Sequence, residues 1–188
     1  MKDGADEFLK ILNKEKETST QNLSLNFASL SDFTLLETLG TGTFGIAKLC
    51  VHTKTKNHFC IKILNKERII RLKQETHIKN EKDVLSTAIH PFIVKLYATF
   101  QDKLSLYFLM EYIPGGELFT RIRRNGFLSE NVTRFYTSEI VIVLEYLHSR
   151  RICHRDLKPV KKKTKSSTIQ NNFFFIKKNK KIIGKFID

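Results

Sequence analysis

The sequence has no long apolar run, few cysteines and far fewer acids than bases, and each shortage removes a class of protein. Its longest purely aliphatic run is Ile140 to Leu144, where a bilayer-crossing helix needs about 20 apolar residues. The opening MKDGADEFLK is charged and has no apolar core, so no secretory signal is expected. Lys2 stands where N-myristoylation requires glycine. Three cysteines, Cys50, Cys60 and Cys153, are too few and too scattered for a disulfide framework or a zinc site. A reducing intracellular compartment is therefore expected, the cytoplasm first and the nucleus second. The chain has 19 acidic residues against 33 Lys and Arg, a net charge of +14. Such a balance would suit nucleic acid or a membrane surface, but it is unevenly placed. Residues 161–188 hold nine Lys and one Asp, leaving only +6 on residues 1–160. Neither nucleic acid nor membrane is expected as a partner, although KKKTK at 161–165 could by itself serve as a nuclear localisation or nucleic-acid patch.

What is present is ordered in blocks. Residues 5–17 place Phe8, Leu9, Ile11 and Leu12 on one helical stripe, and the polar stretch 18–31 reads as a linker. FTLLETL, IAKLCVH and HFCIKIL follow as strand-like runs, separated by a glycine-rich turn and by TKTKN. Residues 74–86 read as a helix, and 96–100 and 105–112 as two further strands. After Pro114-Gly115-Gly116 the pattern turns helical. In the long run from Ser129, Val132, Tyr136, Ile140, Val143 and Leu147 recur at three- and four-residue spacing, with Ser129 as a plausible N-cap. The expected architecture is α+β. It comprises an N-terminal helix and linker (1–31), a complete β-rich small lobe with one helix (32–112), the first helices of an incomplete helical lobe (113–160), and a basic tail without order (161–188).

Four local patterns carry chemistry. LGTGTFGIA (39–47) sets Gly40, Gly42 and Gly45 in a G-x-G-x-x-G array. Glycines let a strand-turn-strand bring backbone N–H groups close to phosphate oxygens. A dinucleotide-binding turn would be followed by a helix, whereas strand-like residues follow here. In FCIK, Lys62 lies between Ile61 and Ile63, which point to the opposite face. Ile78, Glu81 and Leu85 fall on one helix face, so Glu81 is turned inward and needs a cation, for which Lys62 is the candidate. LMEYIPGGELF (109–119) runs from an apolar strand into Pro-Gly-Gly, and HRDLK (154–158) follows the long helix.

Together these motifs, from about Asp32 to Pro159, resemble the protein kinase superfamily. HPFIVKLYATFQD and MEYIPGGELF resemble its AGC group and, within it, the cyclic-AMP-dependent type. The resemblance implies a serine/threonine kinase that moves the γ-phosphate of ATP to protein hydroxyls. It implies protein substrates with basic residues near the acceptor, and a cyclic-AMP-binding regulatory subunit as a second partner. Asp156 would orient the substrate hydroxyl and accept its proton, while Lys158 would neutralise the transferring phosphate. Gly40, Thr41, Gly42, Thr43, Phe44 and Gly45, with Leu39 and Ala47, would cover the nucleotide. Lys62 would pair with its phosphates and with Glu81. Cys60 would line the adenine pocket and Met110 would be its gatekeeper; the backbone of Glu111 and Ile113 would hold the base, and Glu117 would contact ribose and a basic substrate side chain. Ala47 and Cys60 stand where Val and Ala are usual in the family.

The resemblance stops inside a motif. After His-Arg-Asp-Leu-Lys-Pro the family continues with Glu and Asn; here those positions are Val160 and Lys161. The Asn is a magnesium ligand, and a lysine ammonium has no lone pair to offer a metal. No Asp-Phe-Gly follows Pro159, so magnesium is expected for the family but no protein ligand for it is expected here. Lys, Asn, Phe and Ile make up 21 of the 28 residues from 161 to 188, as if an A/T-rich stretch had been translated after Pro159. The expectation is a truncated kinase with little activity. The alternative is a non-catalytic fragment that binds nucleotide or a regulatory subunit. The long helix carries Val132, Phe135, Tyr136, Ile140, Val141, Ile142, Val143, Leu144 and Leu147 around much of its circumference, so it is expected to lack its packing partners and the part after about Glu117 to be poorly stabilised.

Overall fold

The computed structural model describes residues 29–114 and 118–153, together with the backbone of two short strands at 176–178 and 181–183. The N-terminal stripe, Glu117, Asp156, Lys158, Val160 and Lys161 lie outside the described residues.

A 3-10 turn, Leu30–Asp32, leads in through a capping box between Ser29 and Asp32. Five strands then form one antiparallel sheet: β1 (Phe33–Thr41), β2 (Gly45–His52), β3 (His58–Asn65), β4 (Leu96–Gln101) and β5 (Ser105–Glu111). Their order is β1-β2-β3-β5-β4, which puts β3 at the centre and β4 on one edge. Between β3 and β4 run helices α1 (Lys66–Arg71) and α2 (Glu75–Thr87). Helices α3 (Leu118–Asn125) and α4 (Glu130–Ser149) follow the sheet, and β6 (Ile176–Lys178) pairs with β7 (Lys181–Ile183).

Alternation along β3 explains how one sheet serves two layers. Phe59 and Ile61 turn to a face shared with Phe33, Tyr107 and Leu109, where Phe59 meets Tyr97 edge-on with ring centroids 5.2 Å apart. Cys60 and Leu64 turn the other way, into a cluster with Ile69 of α1, Ile78 and Leu85 of α2, and Phe108 and Met110 of β5. The helices thus cover the inner face.

The strand expectations match to within one or two residues. Helix α1 is an addition: the expected lobe had one helix, and a six-residue helix is too short to show apolar periodicity. Its start has a local cause, since the Asn65 side chain accepts the Arg68 N–H at 2.8 Å. Ser129 does stand at the N-cap of α4, but its side chain makes no capping bond.

Helix α4 differs from the expectation in how it is packed. Tyr136, Val143 and Leu147 are buried against Ala88 and Ile93 of the segment between α2 and β4, with Phe92, Leu118 and Leu128 at the margins. The Tyr146 hydroxyl accepts the Ile89 N–H at 2.9 Å and so ties the helix to that segment. One stripe is therefore buried against that segment, while Phe135, Val141 and Ile142 on other sides are exposed.

Candidate nucleotide site

The site is built on the inner face of β2, β3 and β5. Strand register sets two rows across it: Ala47–Lys62–Phe108, and Leu49–Cys60–Met110. Lys62 and Cys60 are both inner-face residues because they are two apart on one strand. Helix α2 lies beneath and turns Glu81 inward beside Ile78 and Leu85.

Lys62 and Glu81, 19 residues apart, meet here. Lys62 Nζ donates to both carboxylate oxygens of Glu81, at 2.8 and 3.1 Å, and sits 5.6 Å from the centre of the Phe108 ring. Both side chains are buried. Burial pulls the Lys62 ammonium below the usual lysine range and pushes the Glu81 carboxyl above the usual carboxylate range. Their mutual attraction and hydrogen bonding oppose both shifts. Two bonds to one carboxylate hold the ammonium in a single orientation.

Around this pair lie Ala47, Cys60, Met110 and Ile113, all buried in the inner cluster, with Leu39 half-buried against it. This is an apolar cluster with a cation beside it, a chemistry that suits a flat base joined to a phosphate chain. Burial raises the Cys60 thiol far above its usual range, so the cysteine acts there as a small apolar group. At the end of β5, the Glu111 N–H donates to the Lys95 carbonyl at 2.9 Å. Ile113 follows with an N–H that meets no acceptor among the described residues.

The glycine segment packs against this cluster through Phe44. Gly42 N–H donates to the Gly45 carbonyl at 2.8 Å, and the Phe44 carbonyl accepts Asn65 N–H at 2.8 Å, so the turn is fastened to the end of β3. Gly45 lies so close to β3 that a Cβ there would fall inside the Ile63 carbonyl, which accounts for glycine at this position. Thr41 is exposed, Gly40, Gly42 and Thr43 are half-buried, and the Phe44 side chain is buried within the inner cluster.

The described residues include fourteen of the proposed nucleotide contacts, Leu39 to Gly45, Ala47, Cys60, Lys62, Glu81, Met110, Glu111 and Ile113; Glu117 and the catalytic pair Asp156 and Lys158 lie outside them. What the sequence did not indicate is the inward course of Phe44. A glycine-rich turn leaves its side-chain directions to tertiary contacts, and no local signal could have supplied them.

Residues 33–161 match the protein kinase domain. The chain belongs to the protein kinase family. Among curated relatives, it is 49% identical over 131 residues to the "cAMP-dependent protein kinase catalytic subunit PRKX" of Homo sapiens, covering 70% of this chain and 37% of that protein. Identity to the "cAMP-dependent protein kinase catalytic subunit" of Dictyostelium discoideum is 46% over 130 residues, 69% of this chain and 20% of the relative. The "cAMP-dependent protein kinase type 3" of Saccharomyces cerevisiae is 44% identical over 131 residues, 70% of this chain and 33% of the relative. The chain therefore spans little more than a third of these kinases' length, or less. The matched residues 33–161 take in the sheet, α1, α2 and the helices α3 and α4.

Proposed function

We propose that this chain is the nucleotide-binding part of a serine/threonine protein kinase of the cyclic-AMP-dependent type, and that it transfers phosphate poorly. The observation carrying the first half is the buried Lys62–Glu81 pair beside the apolar cluster of Ala47, Cys60, Met110 and Ile113. A preorganised ammonium in a low-dielectric site interacts with phosphate oxygens far more strongly than one in water. Glu81 fixes where that charge sits. The base would lie between Ala47 and Leu39 on one side and Ile113 on the other, with Cys60 and Met110 at the back. The Glu111 carbonyl and the Ile113 N–H offer it one acceptor and one donor.

ATP bound there supplies the transferable γ-phosphoryl group. Asp156, by its place in the His-Arg-Asp motif, would orient a substrate hydroxyl and accept its proton, and Lys158 would hold a phosphate oxygen. The donor set does not fit magnesium. Lys161 occupies the position of the family's metal-binding Asn, and an ammonium repels a cation and has no lone pair. Among the described residues, no group of three or more His, Cys, Asp and Glu side chains comes together as a metal site. Losing one preorganised electrostatic contact of this kind costs roughly 10²–10³ in rate. Protein substrates with basic residues and a cyclic-AMP-binding regulatory subunit remain the expected partners, although Val160 lacks the acid that would greet a basic substrate.

The same Lys161 favours one second reading, a module that binds nucleotide or a regulatory subunit without phosphoryl transfer. Calorimetric titration with ATP tests nucleotide binding: the native chain is expected to bind and Lys62→Met to lose most of that affinity. Equal binding by both proteins would overturn the site. Transfer of labelled γ-phosphate to a basic peptide separates the two readings, with slow transfer expected for the first and none for the second.

A further inference from the structure

Strands β6 and β7 lie beyond residues 33–161, the part that matches the protein kinase domain. They pair antiparallel, Ile176 with Ile183, Lys177 with Ile182 and Lys178 with Lys181, around the link Asn179-Lys180. By itself such a hairpin is a poor structure. Two strands of three residues are marginal in water unless they pack on a helix or a further strand. Lys178 opposite Lys181 sets like charges at one cross-strand position, which weakens the pair further.

The helices after the sheet supply the missing support. Strand β6 runs beside α4, and β7 runs beside α3. The match extends to charge. Helix α4 carries Glu130, Glu139 and Glu145 against Arg134, and the strand beside it, β6, brings Lys177 and Lys178. Helix α3 carries Arg121, Arg123 and Arg124, and the strand beside it, β7, is the more apolar of the two, with Ile182 and Ile183. The more basic strand thus neighbours the acidic helix. Helix α4 also has more apolar surface than the segment around Ala88 and Ile93 buries, since Phe135, Val141 and Ile142 stay exposed.

We propose that the hairpin 176–183 is an intramolecular brace that docks on α3 and α4, so that the helical unit and the hairpin stabilise each other. The occupant of this surface is the chain's own tail. Helix and hairpin are joined through residues 150–175, so their contact forms within one molecule and escapes the translational cost of association. Residues outside the kinase match thereby take on a folding role, independent of whether nucleotide binds.

Hydrogen exchange on the whole chain tests the brace. Ile176→Asp with Ile183→Asp removes an apolar pair and sets two carboxylates at one cross-strand position. Amides in residues 118–149 are then expected to exchange about tenfold faster than in the native chain, with β3 and β5 unchanged. Ile176→Val with Ile183→Val keeps the apolar pair and should exchange like the native chain. Unchanged exchange in α4 of the aspartate variant would overturn the brace. So would an equal loss of protection in β3 and β5, because a brace acts on the helical unit alone.

A second measurement needs no variant. Glu130 and Glu145 on α4 are exposed, as are Glu37 and Glu67 near the sheet. Carbodiimide coupling of the monomeric native chain, mapped by mass spectrometry, should join Lys177, Lys178, Lys180 or Lys181 to Glu130 or Glu145. Links that fall equally on Glu37 and Glu67, or none to α4, would overturn the docking.

Discussion

At the residue scale, the Lys62–Glu81 pair is the costliest feature of the molecule, since two charges have been taken out of water. Removing one of them strands the other. Lys62→Met is expected to destabilise the chain by about 3–5 kcal/mol, measured by urea unfolding. Lys62→Met with Glu81→Leu should recover most of that loss; a double variant as unstable as the single one would contradict the account. The pair was legible from the sequence because both periods are local: Lys62 alternates against Ile61 and Ile63, and Glu81 shares a face with Ile78 and Leu85.

Asp102 gives the pH dependence. The Tyr107 hydroxyl donates to it at 2.6 Å and the Leu104 and Ser105 amides at 2.8 and 2.7 Å, which holds its carboxyl below the usual aspartate range. A depressed carboxylate contributes stability that is fully present above the unfolded value, about pH 3.9, and is lost as pH falls through the lower folded value. Acid titration of unfolding should therefore show a smaller loss of stability in this window for Asp102→Ala than for the native chain. Identical acid profiles would remove Asp102 from the explanation. Thiol chemistry follows burial as well: Cys50 is pushed up to about 12 and Cys60 higher still, while Cys153 is exposed. A disulfide reagent is expected to label Cys153 alone in the folded chain, as peptide mapping would show.

At the scale of elements, the strands were readable because period-two alternation and the intervening turns agree. Helix α1 was not, since its only sequence signal is the Asn65 cap, and Asn65→Ala should cost about 0.5–2 kcal/mol in thermal or urea unfolding. Gly45 had been read for its freedom beside phosphates, yet it also has a packing reason: β2 runs so close to β3 there that only a hydrogen fits. Gly45→Ala should cost about 1–3 kcal/mol in unfolding experiments, as overpacking does. An alanine variant of native stability would show that β2 can move away. The inward course of Phe44 was illegible for a related reason, because its direction depends on Asn65, Gly45 and the cluster beneath rather than on neighbours in sequence.

At the scale of the whole molecule, sheet and helices divide into two packed units with different support. The sheet with α1 and α2 closes its own inner cluster. Helix α4 is held along one stripe and by the bond between Tyr146 and Ile89, while Phe135, Val141 and Ile142 face outward. The stripe of α4 that packs was visible in the sequence, where Val132, Tyr136, Ile140, Val143 and Leu147 recur at three- and four-residue spacing, but its partners were not, because Ala88 and Ile93 arrive from elsewhere in the chain. Hydrogen exchange should be slowest in β3 and β5 and faster in α4. Equal protection would mean that the exposed side of α4 is covered in solution.

The proposed nucleotide contacts are Lys62 and the strand end at Glu111 to Ile113, and Lys161 offers no lone pair to the metal that kinases place between the phosphates. The most direct test is one titration of the native chain with ATP, performed with magnesium and again with the metal chelated. Weak binding with nearly the same affinity in both is the predicted result. A large gain in affinity with magnesium would show that the chain supplies metal ligands after all, and would contradict the account.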